Sequence, residues 1–230
     1  MLFSNIILLL FISLTLQEVL SEKVDEIVKF PLQFSAELKI IANLVPIDST
    51  YPPRERKMNV FYDYVNKKAR VDIESGYEAA KTYIRRYDES NEYMIRPDPI
   101  DDCKRSYLGE IMPFPLLDPS AFKYQGIKKI NNVNCQYFLH VDYETHIHAY
   151  FIINDDGDYI PYMLIQEDID NNTKQSQTLL TYIYDNVNIG PESVQEEELF
   201  EIPLPYSHET CENQIGGFPY VHIFHHFVKF

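Results

Sequence analysis

Four polar side chains near the middle of the chain could supply ligands for a metal ion. The segments "CQYFLHVDY" and "HIHAYFII" each alternate apolar and polar residues, as the two strands of a hairpin do. Keeping both apolar sets on one face predicts the loop 143–145 and brings four outward side chains together: His140, Asp142, His146 and His148. Zinc accepts such ligands. A solvated, titratable strand face explains them without a metal, and we favour it strongly because surface His pairs are common. No metal is therefore predicted, and these four residues stay weak candidates.

The cysteines are the other reactive side chains of the sequence. A papain-type enzyme needs its thiolate in a frame such as "CGSCW", which Cys103 ("DDCKR"), Cys135 ("VNCQY") and Cys211 ("ETCEN") lack. The sequence also contains no GxSxG, HExxH, Walker or dinucleotide-binding motif. "NDDGD" resembles a calcium-binding turn, but a hairpin with the loop Asp155–Gly157 explains it without metal. We predict that the protein is not an enzyme and uses no cofactor.

The chain is strongly acidic. Its 35 Asp and Glu residues against 20 Lys and Arg residues give a formal net charge of −15. Phosphate binding needs clustered Lys and Arg, so we expect no nucleic-acid partner. A cation or a basic protein is an easier partner, although acidity alone usually means solubility.

The first 21 residues have the pattern of a secretory signal peptide. The apolar stretch Ile6–Leu16 is short for a membrane span, and Val19 and Ser21 are small enough for signal peptidase. Cleavage after Ser21 predicts a secreted or endolysosomal protein with no stable membrane span.

Such a compartment permits disulfides and glycosylation. Cys103 and Cys211 lie in polar, turn-like surroundings, whereas Cys135 begins an alternating strand pattern and fits a buried apolar residue. We therefore predict a Cys103–Cys211 disulfide. The sequon "NNT" at Asn171 lies in a polar loop, where it could be glycosylated.

Period-two alternation recurs from "AELKIIANL" to "QTLLTYIYDNVNI" and predicts about nine to eleven strands in consecutive hairpins. Because few helices are available to cover such a sheet, it must curl to bury its apolar face. The predicted fold is mainly β: one large curved antiparallel sheet forming an incomplete, half-open barrel with few short helices, over residues 22–215.

A sheet that curls without closing leaves a concave apolar face. Its side chains either pack as an ordinary core or line a pocket wide enough for an acyl chain. The residues predicted to line this face are Tyr62, Tyr64, Val71, Leu139, Val141 and Phe151. The apolar stretch "IMPFPLL" could act as a lid or plug.

The tail 216–230, "GGFPYVHIFHHFVKF", is apolar on both faces, which favours a partner-docking tail over a free terminus.

The order of hairpins, the run "MNVFYDYVNKKARVDI", the turn at Cys103, and "LLTYIYDNVNIG" before Cys211 resemble the LolA-like half-barrels. Within that group the chain is similar to the ependymin-related proteins. "AFKYQGIKKINNVNCQYF" is also similar to part of the N-terminal, non-catalytic domain of animal cathepsin-like proteinases of the twenty-six/twenty-nine kilodalton type.

The resemblance implies a secreted, non-catalytic module that holds a hydrophobic or lipid-like ligand, or a protein partner, on its sheet. The proteinase resemblance implies instead an accessory domain of a papain-like cysteine proteinase, with the tail as the docking segment. A calcium- or matrix-associated extracellular glycoprotein is the third function implied.

Overall fold

The computed structural model describes residues 28, 30–97, 100–115, 117, 120–170, 172–196 and 198–218. These residues form twelve strands in one sheet and a single short 3-10 helix, Pro191–Ser193. The strands are β1 (Gln33–Ala42), β2 (Glu55–Asp63), β3 (Lys68–Ser75), β4 (Thr82–Arg86), β5 (Asn91–Arg96), β6 (Asp102–Tyr107), β7 (Phe122–Ile130), β8 (Val133–Asp142), β9 (Thr145–Ile153), β10 (Tyr159–Ile169), β11 (Ser176–Ile189) and β12 (Glu212–Asn213).

The strand order across the sheet is β12-β6-β5-β4-β3-β2-β1-β11-β10-β9-β8-β7. β1 thus lies in the middle, with β2–β6 (the first meander) on one side and β7–β11 (the second meander) on the other. Every strand pair is antiparallel except the short pairing of β12 with β6. The edges β7 and β12 do not pair with each other. The predicted fold class, a large curved antiparallel sheet forming an incomplete barrel, is therefore confirmed.

One face of the sheet carries the main hydrophobic core, and we call it the inner face. The hairpin β2–β3 shows how the alternation builds it, because Met58 pairs with Ile73 and Val60 pairs with Val71. All four side chains are buried. Directly paired residues of antiparallel strands point to the same face, so the predicted parity of this hairpin is confirmed. Burying each such side chain stabilises the fold by roughly 1.5–3 kcal/mol.

The connection between β6 and β7 crosses the inner face, since these strands lie at opposite ends of the sheet. Met112 and Leu117 of this connection are buried in the inner-face core beside Phe34 and Phe151. The crossing chain pairs with a second extended segment: the amide of Phe30 donates to Pro115 O (3.1 Å), and the amide of Leu117 donates to Val28 O (3.0 Å). We call Val28, Phe30 and the described residues of 112–117 the inner cover. The described residues Met112 and Leu117 of "IMPFPLL" thus lie in the core, and the role of this stretch as a lid or plug stays a prediction.

The outer face of the first meander is covered by the described residues of 194–211, which we call the strap. Ile202 and Tyr206 of the strap pack against a buried cluster of Ile84, Tyr93, Ile95 and the two half-cystines. The predicted disulfide, Cys103–Cys211, is confirmed, with a Cα–Cα distance of 4.7 Å. Its surroundings differ from the expectation, because Cys103 lies inside β6 and both cysteines are buried rather than in polar turns. Cys135 is free and buried, as predicted.

The hairpin β8–β9 has a different register from the predicted one. Asp142 pairs with Thr145, which leaves the two-residue loop Tyr143–Glu144 instead of three residues. Tyr143 has φ +51°, a conformation that tight hairpin turns require. The ring of Phe138 packs edge-on against Phe151 at 5.7 Å in the core, so the even-numbered residues of β8 point inward. The prediction that the odd-numbered residues do so is wrong.

The next hairpin agrees with the sequence. β9 and β10 are joined through Asn154 and Asp158, whose backbones pair at 3.2 Å around the loop Asp155–Gly157. Gly157 adopts φ +88°, which a glycine accommodates without a steric cost. The predicted loop with Gly at its third position is confirmed.

The edge strand β7 departs from regular pairing. The ladder to β8 shifts between Tyr124 and Gly126, where Gly126 has φ +101°. Most of its residues are exposed, including Lys128 and Lys129. An irregular edge strand rich in lysine therefore ends the second meander.

Candidate functional site

Three of the residues predicted to line the inner face are part of its packed core. Tyr62, Val71 and Phe151 are each at most 1% exposed. The phenol of Tyr62 donates to Pro113 O at 2.5 Å and its ring stacks on Phe34 at 5.8 Å. These side chains touch the inner cover and their own neighbours, so whether they bind a ligand stays a prediction.

Tyr64 lies at the rim of the same face and is partly buried. Its ring meets Phe114 of the inner cover edge-on at 5.1 Å, and the ammonium of Lys67 lies 3.1 Å from the ring centroid. Cation–π contacts of this kind contribute about 0.5–1 kcal/mol at exposed sites. Tyr64 is thus one point at which the cover is held to the sheet.

Leu139 and Val141 lie on the outer face. Leu139 pairs with His148 and Val141 pairs with His146, whereas the inner residue between them, His140, pairs with the buried Ile147. Val141 is 54% exposed. The prediction that these two residues line the concave face is wrong, because the β8–β9 hairpin differs by one residue from the predicted register.

A stripe of partly buried side chains on the inner face was not predicted as a site. It surrounds the core near the middle of the sheet and consists of Ile40, Tyr159, Tyr182, Val187 and Ile189. Burial raises the pKa of Tyr182 to about 12, so its phenol stays neutral at physiological pH. The alternation of Leu180, Tyr182 and Tyr184 in "LLTYIY" is the sequence signal that could have identified it. These residues give the inner face an apolar surface with a few neutral hydroxyl groups.

The four weak metal candidates do not converge. His140 lies on the inward parity of β8, with its Nδ1 3.1 Å from Ala121 O, whereas His146 and His148 point outward. Asp142 is exposed at the end of β8. Among the described residues, no group of three or more His, Cys, Asp or Glu side chains is placed to hold a metal ion.

The outer face of the second meander carries a hydrogen-bonded relay of three side chains. Tyr137 Oη lies 2.8 Å from His148 Nδ1, and His148 Nε2 lies 3.2 Å from Glu167 Oε2. With a neutral imidazole, Tyr137 donates to Nδ1 while Nε2–H donates to the carboxylate. Tyr150 stacks on Tyr137 at 5.1 Å, and Lys128 lies 5.0 Å from the centre of the Tyr137 ring.

The three side chains follow the order of a catalytic triad, with a hydroxyl, an imidazole and a carboxylate. The pKa shifts of the first two do not suit that chemistry. Burial, together with the Glu167 charge, raises the pKa of Tyr137, and burial lowers the pKa of His148 despite the same carboxylate. A nucleophile needs a lowered pKa or a base that can accept its proton. A phenol with a raised pKa beside a weakly basic imidazole offers neither, so the relay orders the strand face.

The start of the C-terminal tail is anchored on the first meander. Ser106 Oγ donates to Gly216 O at 2.8 Å, and the amide of Phe218 donates to the buried Glu92 carboxylate at 3.0 Å. Phe218 itself is 7% exposed and joins the inner-face core. Burial raises the pKa of Glu92, against the opposing effects of Arg85 and the Phe218 amide. The remainder of the predicted tail, 219–230, lies outside the described residues, as do Asn171 and the predicted signal peptide 1–21.

No protein-family model matches the sequence, and no curated protein sequence matches it either. Among solved structures, the chain is similar to an uncharacterized conserved protein from Thermus thermophilus, with a TM-score of 0.50 and 11% identity over 80% of this chain and 90% of that one. At that identity the similarity concerns the fold alone.

Two more distant structures also align. They are a DUF1329 family protein from Desulfovibrio piger and an outer membrane lipoprotein-sorting protein domain from Vibrio parahaemolyticus, each with a TM-score of 0.37 and 9% identity over 74% of this chain. The alignments span 90% and 88% of those chains. Similarity this low carries no conclusion about ligands. The half-barrel architecture is confirmed by the sheet itself, while the relationships to ependymin-related proteins and cathepsin-like proteinases stay predictions.

Proposed function

We propose that this protein is a non-catalytic binding module that holds an apolar, lipid-like ligand on the inner face of its open sheet. The supporting observation is that irregular peptide, rather than a helix or a second sheet, covers this face. Val28, Phe30, Met112 and Leu117 fill the core at that point. An apolar ligand that takes their place would bury a comparable apolar surface.

The inner cover is held on the sheet mainly by apolar contacts. Tyr62 ties it to the sheet through the hydrogen bond to Pro113 O, and two backbone hydrogen bonds join the cover's own segments. A hydrogen bond contributes only about 0.5–1.5 kcal/mol net. Displacing the cover therefore costs mainly apolar contacts, which the ligand restores.

The stripe around Ile40 and Tyr182 provides the entry surface for such a ligand. These side chains pack against the core yet stay partly exposed. Ligand sites of this kind are mostly apolar with a small number of polar groups that fix orientation. The Tyr182 and Tyr159 hydroxyl groups supply those polar groups.

The disulfide bears on where the protein works. A buried bond between Cys103 and Cys211 supports an oxidising compartment, extracellular or periplasmic. None of the described residues form a helix with the length and apolar character needed to cross a bilayer. The endolysosomal lumen, the proteinase partner and the matrix-associated glycoprotein stay predictions from the sequence.

Two adjacent isoleucines of β1 give a matched test. Ile40 pairs with Tyr182 on the inner face, whereas Ile41 pairs with Thr181 on the outer face. With delipidated protein and a fluorescent long-chain fatty-acid methyl ester, which is uncharged, we expect Ile40→Lys to weaken binding about tenfold or more, because the ligand would desolvate the lysine charge without pairing it. Ile41→Lys should bind like the wild type. Absence of probe uptake by the wild type, or equal losses in both variants, would contradict the proposal.

A further inference from the structure

A cavity lies on the opposite side of the sheet from the inner face, between the strap and strands β2 and β3. Its volume is about 720 Å³, within the range of about 300–1,000 Å³ that is usual for ligand sites. The floor is formed by outer-face side chains of the sheet and the roof by the strap. The lining residues are Phe61, Arg70, Asp72, Glu196, Glu198, Leu199, Glu201, Ile202, Pro203 and Leu204.

The roof of this cavity is fixed on both sides. Leu199 and Phe200 are buried with Val194 against Phe61 of β2. Arg70 donates from Nη1 to Leu199 O at 2.7 Å. The other end of the strap is held by the disulfide at Cys211. The cavity is thus a preformed space between two anchored elements, and it needs no movement of the inner cover.

Acidic side chains outnumber basic ones in the lining of this cavity. Asp72 receives two hydrogen bonds of 3.0 Å from Arg70, and Glu201 is paired with Arg86 at 3.2 Å. Within the described chain, Glu196 and Glu198 have no ion-pair partner. Of the four carboxylates that line the cavity, only those of the exposed Glu196 and Glu198 are therefore left without a paired cation.

The remaining lining is apolar. Phe61 and Ile202 are partly buried, and Leu204 is 92% exposed at the mouth. Pro203 adds apolar surface and contributes no amide donor. A ligand that matches this lining carries a positive ammonium group on an apolar body.

We propose that this outer cavity is a binding site for amphiphilic organic cations, with Glu196 and Glu198 pairing the ammonium group and Phe61 and Leu204 contacting the apolar chain. The site is distinct from the inner face and does not depend on the function proposed for that face. An anionic lipid is repelled by the same carboxylates.

Isothermal titration with decylammonium, below its micelle concentration, tests the site, with decanol and decanoate as uncharged and anionic controls. Wild-type protein should bind decylammonium more tightly than either control. The double variant Glu196→Gln/Glu198→Gln should bind it about tenfold more weakly, through loss of charge-assisted contacts. Leu204→Ala, at an exposed position that does not affect folding, should weaken binding about threefold.

A matched variant with the same charge change but outside the cavity, Glu192→Gln/Glu212→Gln, should bind like the wild type. Ile40→Lys on the inner face should also leave decylammonium binding unchanged, which separates this site from the fatty-acid site. The proposal is overturned if decanol binds as tightly as decylammonium, if both double variants lose equally, or if only Ile40→Lys reduces binding.

Discussion

The two meanders of the sheet share antiparallel hairpins but are covered differently. The first is buried on both sides, by the core on its inner face and by the disulfide-linked strap on its outer face. The second has the core on its inner face and a layer of Tyr137, His148 and Tyr150 rings on its outer face. Apolar burial on both sides stabilises the first meander, whereas the second combines apolar burial with a polar relay. The difference places the outer cavity on the first meander and the Tyr137–His148–Glu167 relay on the second.

Among the changes that test this comparison, removal of the disulfide should lower the free energy of unfolding most. Cys103 and Cys211 are separated by 108 residues, and a crosslink closing such a loop stabilises a protein by about 4–5 kcal/mol through the unfolded chain. We expect Cys103→Ala/Cys211→Ala to lower the free energy of unfolding by about that amount and to loosen the strap. Urea unfolding under non-oxidising conditions measures it, with Cys135→Ala as the control for loss of a buried sulfur. A loss no greater than that of the control would show that the strap is held by packing alone.

Substitutions that test the register of the second meander should give the next largest loss of stability. Phe138 is buried in the core at 6% exposure, while its neighbour Leu139 lies on the outer face. Phe138→Ala should cost about 3–4 kcal/mol, and Leu139→Ala less than about 1 kcal/mol. Thermal or urea unfolding of the two variants compares them directly. A larger loss of stability in Leu139→Ala than in Phe138→Ala would support the register predicted from the sequence instead.

Acidification should protonate His148 of the second meander and Glu78 beside the first in separate pH windows, and these effects on stability should be the smallest. Burial lowers the pKa of His148 below its ordinary value of 6.5, although Glu167 acts to raise it. The unfolded chain therefore takes up this proton first, and stability falls as the pH drops below about 6.5. In the first meander, burial acts to raise the pKa of Glu78, but bonds from Lys81 and Tyr83 and nearby positive charges keep it below 4.5. The stability that Glu78 contributes is lost only below that pH.

Stability curves measured between about pH 7.5 and pH 5.5 test this ordering. His148→Gln should lose less stability than the wild type over the interval, by about 1 kcal/mol or less. His146→Gln, on the same face but outside the relay, is the matched control; because the His146 charge is the last of the causes that lower the pKa of His148, this variant should keep most of the wild-type slope. If stability varies with pH in His148→Gln as it does in the wild type, the relay does not cause the pH dependence.

The sequence predicted the first meander better than the second for a physical reason. Met58, Val60 and Val71 alternate with polar residues, so only one parity buries them. In β8 and β9 both parities are aromatic or aliphatic: Phe138 and Phe151 point inward while Tyr137 and Tyr150 point outward. Alternation cannot choose between two apolar faces, and the turn at Tyr143 decides the register instead. The loop ending at Gly157 was predictable because glycine marks the left-handed position.

The candidate sites were predictable only in part. The disulfide pair was predicted correctly, although both cysteines are buried rather than in the polar turns expected. The strap and its cavity arise when the described residues of 194–211 fold over β2 and β3, which no local pattern encodes. Likewise the relay joins Tyr137, His148 and Glu167 from three strands. Such contacts depend on strand order, and strand order is not a property of any one segment.

The edge strand β7 has a consequence for molecules at high concentration. An open sheet presents unpaired backbone groups at its margin, which could template addition of a further copy. The irregular step at Gly126 and the ammonium groups of Lys128 and Lys129 oppose this, because two such margins would repel each other and could not align. The half-barrel thereby keeps an unclosed sheet while its border resists growth into fibres.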